Sequence, residues 1–136
     1  MSPQVSILIP VHNEAAFIET VLRNVSATAI DKEIIVVDDG STDRSGEILT
    51  RLAKELPIQV IRHPRNLGKG QAIRSALVRS RGEIFLIQDA DLEYDPEDYP
   101  VLLKPLWQRR ASIVYGSRFL GAHCASYFWH RLGNCR

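Results

Sequence analysis

The chain has 136 residues, 45% hydrophobic and 24% charged, the proportions of one globular domain with a single core. Seventeen Lys and Arg against sixteen Asp and Glu leave a formal charge of +1, so bulk charge gives no argument for nucleic-acid binding. No apolar run is long enough to span a bilayer, no basic leader precedes the first apolar segment, and Cys124 and Cys135 make neither a disulfide framework nor a metal-ligand set. The two cysteines are expected as free thiols in a reducing, cytoplasmic compartment.

Short β-branched runs alternate with helical patterns along the chain. Val5 to Val11 reads as a first strand, and Ile18, Val21, Leu22 and Val25 then fall on one helix face. Ile34 to Val37 is a second strand, almost wholly apolar, as a parallel strand covered on both faces should be. A helix striped by Leu49, Leu52, Ala53 and Leu56 precedes a third strand, Ile58 to Ile61. Ile73, Ala76 and Leu77 mark the next helix, and Ile84 to Ile87 a fourth strand. A helix carrying Tyr99, Leu102, Leu103 and Leu106 leads to a fifth strand, Ala111 to Tyr115, and Pro100 and Pro105 predict that this helix is short or kinked. The alternation predicts an α/β domain over residues 1–136, with a mostly parallel sheet flanked by helices on both faces.

In such a sheet ligands bind beyond the carboxyl ends of the strands. All five predicted ends carry polar residues or glycine: Pro10-Val-His-Asn-Glu14, Asp38-Asp-Gly-Ser-Thr-Asp43, Arg62 to Gly70, Gln88-Asp-Ala-Asp91 and Gly116-Ser-Arg118. The acids of the fourth end divide into two groups. Asp95, followed by Pro96, Glu97 and Asp98, has the form of a helix cap. Asp89 and Asp91 come too early for that. In extended chain, residues two apart point the same way, so the two carboxylates can share a hard divalent cation, Mg2+ or Mn2+. Glu93 stands at the next such step and reads equally as a third ligand or a structural acid.

Asp38 and Asp39 form either a turn before a helix cap or a recognition site for a nucleobase or ribose. Asp39, lying beyond its strand, is expected to carry little packing. Asn13-Glu14 reads evenly as a helix cap or a ligand contact. The loop Asn66-Leu-Gly-Lys-Gly70 could cap a helix or bring Lys69 to a phosphate. Arg118 is a candidate anion contact. His12, His63, His123 and His130 lack metal-ligand spacing and read as structural.

Five segments, "SILIPVHNEAAFI", "IIVVDDGSTDRS", "RNLGKGQAIRSAL", "LIQDADLEYDPED" and "VYGSRFLG", together resemble the family 2 glycosyltransferases with the GT-A, Rossmann-like nucleotide-sugar-binding fold. Within that family, "DADLEYDP", "GSRF" and "HRLGN" are similar to the polyprenyl-phosphate and dolichyl-phosphate hexosyltransferases. The resemblance implies an inverting hexose transfer from a nucleoside-diphosphate sugar, of the GDP-mannose or UDP-glucose type, to a lipid phosphate. It implies donor contacts from Pro10, Glu14 and Asp39, together with Val11, Asn13, Lys69 and Ala90. It further implies a Mg2+ or Mn2+ site at Asp89 and Asp91 with Glu93 near it, and acceptor-phosphate contacts from Arg118 and Arg131. Asp89, Asp91 and Arg118 would then carry the chemistry. Peripheral contact with the cytoplasmic membrane face follows from such an acceptor, and no nucleic-acid partner is expected.

Family members usually continue beyond the point where this sequence stops, so the acceptor side is expected to be incomplete, with residues from about Gly121 onward mobile or membrane-associated. Transfer to a saccharide and donor binding without transfer stand as alternatives. A receiver-like phosphorylation domain is a distant one, because its acid pair would follow the first strand rather than the second.

Overall fold

A computed structural model describes residues 3–92, 95–115 and 127–130, with residues 113–115 and 127–130 described by their backbone. Six strands and four helices follow one another as β1 (Val5–Val11), α1 (Ile18–Ser26), β2 (Lys32–Asp38), α2 (Ser45–Glu55), β3 (Ile58–Arg62), α3 (Lys69–Arg79), β4 (Ile84–Ile87), α4 (Tyr99–Trp107), β5 (Ile113–Tyr115) and β6 (Tyr127–His130). They form one sheet in the order β3-β2-β1-β4-β6-β5. The first four of these strands are mutually parallel, and β6 runs antiparallel to both β4 and β5.

Strand alternation divides the core in two. Val5, Ile7, Ile9 and Val11 of β1 face α1, α2 and α4, where Ile18, Leu22, Leu49, Leu52, Leu103 and Leu106 are buried. Leu8, Ile35, Val37 and Phe85 point to the other face, against Ala72 and Ala76 of α3. The small alanines let α3 lie close over β1 and β2. The stripes predicted for α1 and α4 are the buried faces of those helices. On α2 the buried stripe is Ser45, Leu49 and Leu52, while Ala53 is exposed. α4 spans nine residues, with Pro100 in its first turn and Pro105 inside it.

A buried polar latch joins the sheet at the end remote from the strand carboxyl termini. Glu33 accepts hydrogen bonds from Ser6 Oγ and from the backbone amides of Arg81 and Gly82. Burial alone would raise its pKa, but these donors together hold it below the ordinary glutamate value. Gly82 comes so close to β1 that a Cβ there would lie 2.6 Å from Ser6 Oγ.

β5 is not next to β4, because β6 lies between them. Of the terminal segment from about Gly121 expected to be mobile or membrane-associated, residues 127–130 supply β6, and the rest lies outside the described residues. Consecutive aromatics such as Tyr127, Phe128 and Trp129 suit extended chain. Ile84 pairs with His130 and Phe85 with Trp129.

Candidate functional site

The strand order fixes where a ligand can enter. From β1 the chain goes to β2 and β3 on one side, then crosses through α3 to β4 on the other. The loops after β1 and β4 therefore diverge, and this switch point opens a crevice at the carboxyl ends of the strands. A cleft of about 450 Å3 lies there, lined by Pro10 and Val11 at the end of β1, His12 and Glu14 after it, Asp39 after β2, Asn66, Gly68 and Lys69 before and at the start of α3, and Asp89 to Asp91 after β4.

Past Ile87 the backbone amide of Gln88 still bonds to Leu8 O at 3.0 Å, continuing the pairing with β1. The fully buried Gln88 side chain accepts from the hydroxyl of Tyr99 at 2.5 Å and donates to Asp89 O at 3.1 Å. This ties the β4 terminus to α4 and fixes the start of the acidic segment. Ala90 packs into the core shared with α4, while Asp89 and Asp91 on either side line the cleft. Both members of the acid pair thus border the same cleft. Lys69 Nζ forms an ion pair with Asp89 Oδ1. Glu14 stands near both aspartates. Its pKa is raised, first by burial and then by the negative charges of Asp91, Asp43 and Asp89.

Asp39 is 3% exposed and already well bonded. One carboxylate oxygen accepts from His63 Nδ1 at 2.8 Å and from the Leu67 amide at 2.9 Å; the other accepts from the Gly68 amide at 2.9 Å. His63 Nε2 in turn accepts from Ser75 Oγ at 2.8 Å. Burial opposes ionisation of Asp39, but these donors hold its pKa below the usual aspartate value. The expectation that Asp39 carries little packing is thus corrected: it anchors the loop that presents Lys69. Asp38 caps the same turn, accepting from the Ser41 amide at 3.0 Å. Gly40, at φ +67°, lies against the same loop, and a Cβ there would meet Arg65 C at 2.2 Å.

Asn13 is not among the cleft-lining residues. Held at φ +52°, it accepts from the Thr42 amide at 2.8 Å and the Asp43 amide at 3.3 Å, joining the loops after β1 and β2. Glu14 donates its amide to Ser45 Oγ at 2.9 Å and accepts from Ile18 N at 2.9 Å through its carbonyl. It combines both readings, helix start and cleft wall. Asp95 caps a short 3-10 turn, Pro96–Asp98, that leads into α4, as the sequence predicts.

His12, Asn66 and Gly68 line the cleft without having been singled out individually from sequence as site residues. His12 Nδ1 lies 2.9 Å from Asp39 O, a carbonyl that can only accept. In the neutral ring this leaves Nε2 as the acceptor, 3.3 Å from Asn66 Nδ2. Nothing local in the sequence marks this arrangement, since His12 and Asn66 are 54 positions apart. Glu93, Arg118 and Arg131 lie outside the described residues.

The donor set suits a small, hard divalent cation. Among the described residues no three His, Cys, Asp or Glu side chains are grouped as metal ligands. Mg2+ and Mn2+ need only one or two carboxylates when phosphate oxygens and water complete the shell. Asp89 and Asp91 supply that number, and a cation would relieve the part of the Glu14 pKa rise that, after burial, comes from Asp91, Asp43 and Asp89.

Residues 6–134 match the sequence model of the family described as Glycosyl transferase family 2. The chain is 32% identical over 119 residues to a dolichol-phosphate mannosyltransferase of Pyrococcus furiosus, an overlap covering 86% of this chain and 34% of that protein. It is 39% identical over 107 residues to an undecaprenyl-phosphate 4-deoxy-4-formamido-L-arabinose transferase of Pseudomonas aeruginosa, covering 74% and 31%. The chain thus spans about a third of the length of these relatives. Among solved structures, a mannosyltransferase from Pyrobaculum calidifontis in complex with GDP-Man and Mn2+ superposes with a TM-score of 0.79 at 25% identity, covering 96% of this chain and 45% of that one. Glucosyl-3-phosphoglycerate synthase from Mycobacterium tuberculosis gives a TM-score of 0.74 at 23% identity, covering 95% and 57%, a likeness of fold. The fold is the GT-A fold.

Proposed function

The chain belongs to glycosyl transferase family 2, and from that premise we propose that it is the donor-binding part of a transferase moving a hexose from a nucleoside-diphosphate sugar to a polyprenyl phosphate. The observation that carries the reading is the convergence of Asp89, Asp91, Glu14 and Asp39 with Lys69 in one cleft at the sheet's switch point. In this reading Pro10, Val11 and Asp39 form the nucleoside wall, and Ala90 is the floor between the two aspartates. Asp39 keeps room for a further donor, because a carboxylate has about four lone-pair sites and three are used by the protein.

Asp89 and Asp91 are the residues that would hold Mg2+ or Mn2+, with Glu93 a candidate third ligand. A divalent ion bound there offsets the charge that develops on the leaving nucleoside diphosphate. The chain's own part is to orient the diphosphate so that the anomeric carbon faces the acceptor side, giving in-line displacement with inversion. A phosphate acceptor is already anionic and needs no protein base. Arg118 and Arg131 are proposed to meet it. Relatives named for dolichol phosphate and undecaprenyl phosphate support this acceptor class, and a neighbour holding GDP-Man and Mn2+ supports the donor class. Delivery of a lipid acceptor places the protein at the cytoplasmic membrane face.

The test is a calorimetric screen of GDP- and UDP-sugars with and without Mn2+, followed by a transfer assay with polyprenyl phosphate. Metal-dependent binding of one nucleotide class is expected. Failure of every nucleoside diphosphate to bind would overturn the reading. Because the chain spans a third of its relatives, donor binding without transfer is the second reading, and the transfer arm separates the two.

A further inference from the structure

Among the described residues the cleft holds four carboxylates, Glu14, Asp39, Asp89 and Asp91, and Lys69 is the only Lys or Arg that lines it. Such a wall repels a nucleoside diphosphate, yet the Lys69 ammonium is engaged with Asp89, an acid proposed above for the metal. Lys69 is the first residue of α3, a helix with no side-chain cap and no acid in its first turn. It follows Gly68, which is pinned through its amide to Asp39 and to Asn66. The lysine stem therefore starts from a fixed point, while its head is half exposed and can change partner.

We propose that Lys69 is an exchangeable counterion. In the empty cleft it neutralises Asp89 and competes with a divalent cation for that carboxylate. When a metal–nucleotide complex enters, Lys69 transfers to a diphosphate oxygen beside the start of its own helix, and Asp89 passes to the metal. The cleft thereby favours metal arriving with nucleotide over metal arriving alone. The inference rests on the donor-site reading above and deepens it.

Removing the ammonium should then have opposite effects on the two ligands. Lys69→Met should bind free Mn2+ roughly twofold to fivefold more tightly than the unaltered chain, the scale of a partly exposed ion pair. It should bind Mn2+ with GDP or UDP at least fivefold more weakly, having lost a charge-assisted contact. Free Mn2+ is read by electron paramagnetic resonance, nucleotide by calorimetry, and folding by circular dichroism. Lys104→Met, on the exposed face of α4, controls for net charge and should change neither affinity. If folded Lys69→Met leaves Mn2+ affinity unchanged or weaker, the exchange is overturned while the donor site stands. An equal gain in Lys104→Met overturns it too. If the unaltered chain binds neither Mn2+ nor nucleoside diphosphate, both readings fall.

Discussion

Asp39 and His63 form a buried pair at 2.8 Å, and through it the end of β2 is clamped to the loop that starts α3. A residue proposed for ligand contact is thus also a structural anchor. Asp39→Ala leaves the Leu67 amide and the His63 ring without their carboxylate acceptor, and the Gly68 amide with Asn66 Oδ1 alone. The expected loss is about 1–3 kcal/mol in urea denaturation, together with faster hydrogen exchange at Leu67 and Gly68. Nucleotide affinity should fall as well. Unchanged stability would show that water replaces the carboxylate without cost.

Acid stability should depend on Glu33. Its folded-state pKa lies below its unfolded value, so its contribution is complete above the ordinary glutamate range. That contribution is lost as pH falls from about 4 through the depressed folded-state value. Asp39 acts in the same direction. The pH profile of urea midpoints should therefore fall below about pH 4, and Glu33→Gln should flatten the fall while lowering the plateau. A variant profile as steep as the parent's would assign the acid loss to other carboxylates.

Gly40→Ala combines a positive φ with a backbone clash against Arg65 and Asn66. The dihedral alone costs about 1–3 kcal/mol, and the loop before α3 must also move. A lowered Tm with weakened nucleotide binding is expected. Retention of both would mean that the turn has an alternative conformation of equal energy.

The metal assignment is checked by chelation and by charge removal. EDTA should weaken nucleoside-diphosphate binding at least tenfold, a difference of about 1.4 kcal/mol. Asp91→Ala should abolish the difference between Mn2+ and EDTA. Equal affinity in both conditions for the unaltered chain counts against the site.

Hydrogen exchange tests the position of β6. Its pairing with β4 and β5 predicts that amides within Tyr127–His130 exchange slowly, in step with β4 rather than with exposed loops. Exchange at loop rates would return that segment to the mobile tail expected from sequence.

The parallel part of the sheet was legible because both of its periodicities are strong. β1 and β4 have the predicted bounds, and β2 and β3 extend them by one or two residues at strand ends. That Asp89 and Asp91 border the cleft was legible from their place just past an apolar strand. β6 was not. Tyr127, Phe128 and Trp129 show no alternation, and only the open flank of β4 gives them a place. Asn13 was half legible: its cap-like chemistry is real, but it bonds to the turn after β2 rather than to its own helix. His12 and Asn66 acquire meaning only when two loops meet.

The place of β6 in the sheet has a consequence for biosynthesis. β5 leaves the ribosome before β6, yet it joins the sheet only through β6. Until residues 127–130 emerge, the nascent chain carries β4 as a bare edge of four apolar residues, Ile84 to Ile87, beside a detached β5. Such an edge invites pairing with a neighbouring polypeptide. Emergence of residues 127–130 from the exit tunnel closes it in one step. A stall upstream of residue 127 should therefore expose a sticky intermediate to chaperones, whereas a stall shortly after this strand has cleared the exit tunnel should not.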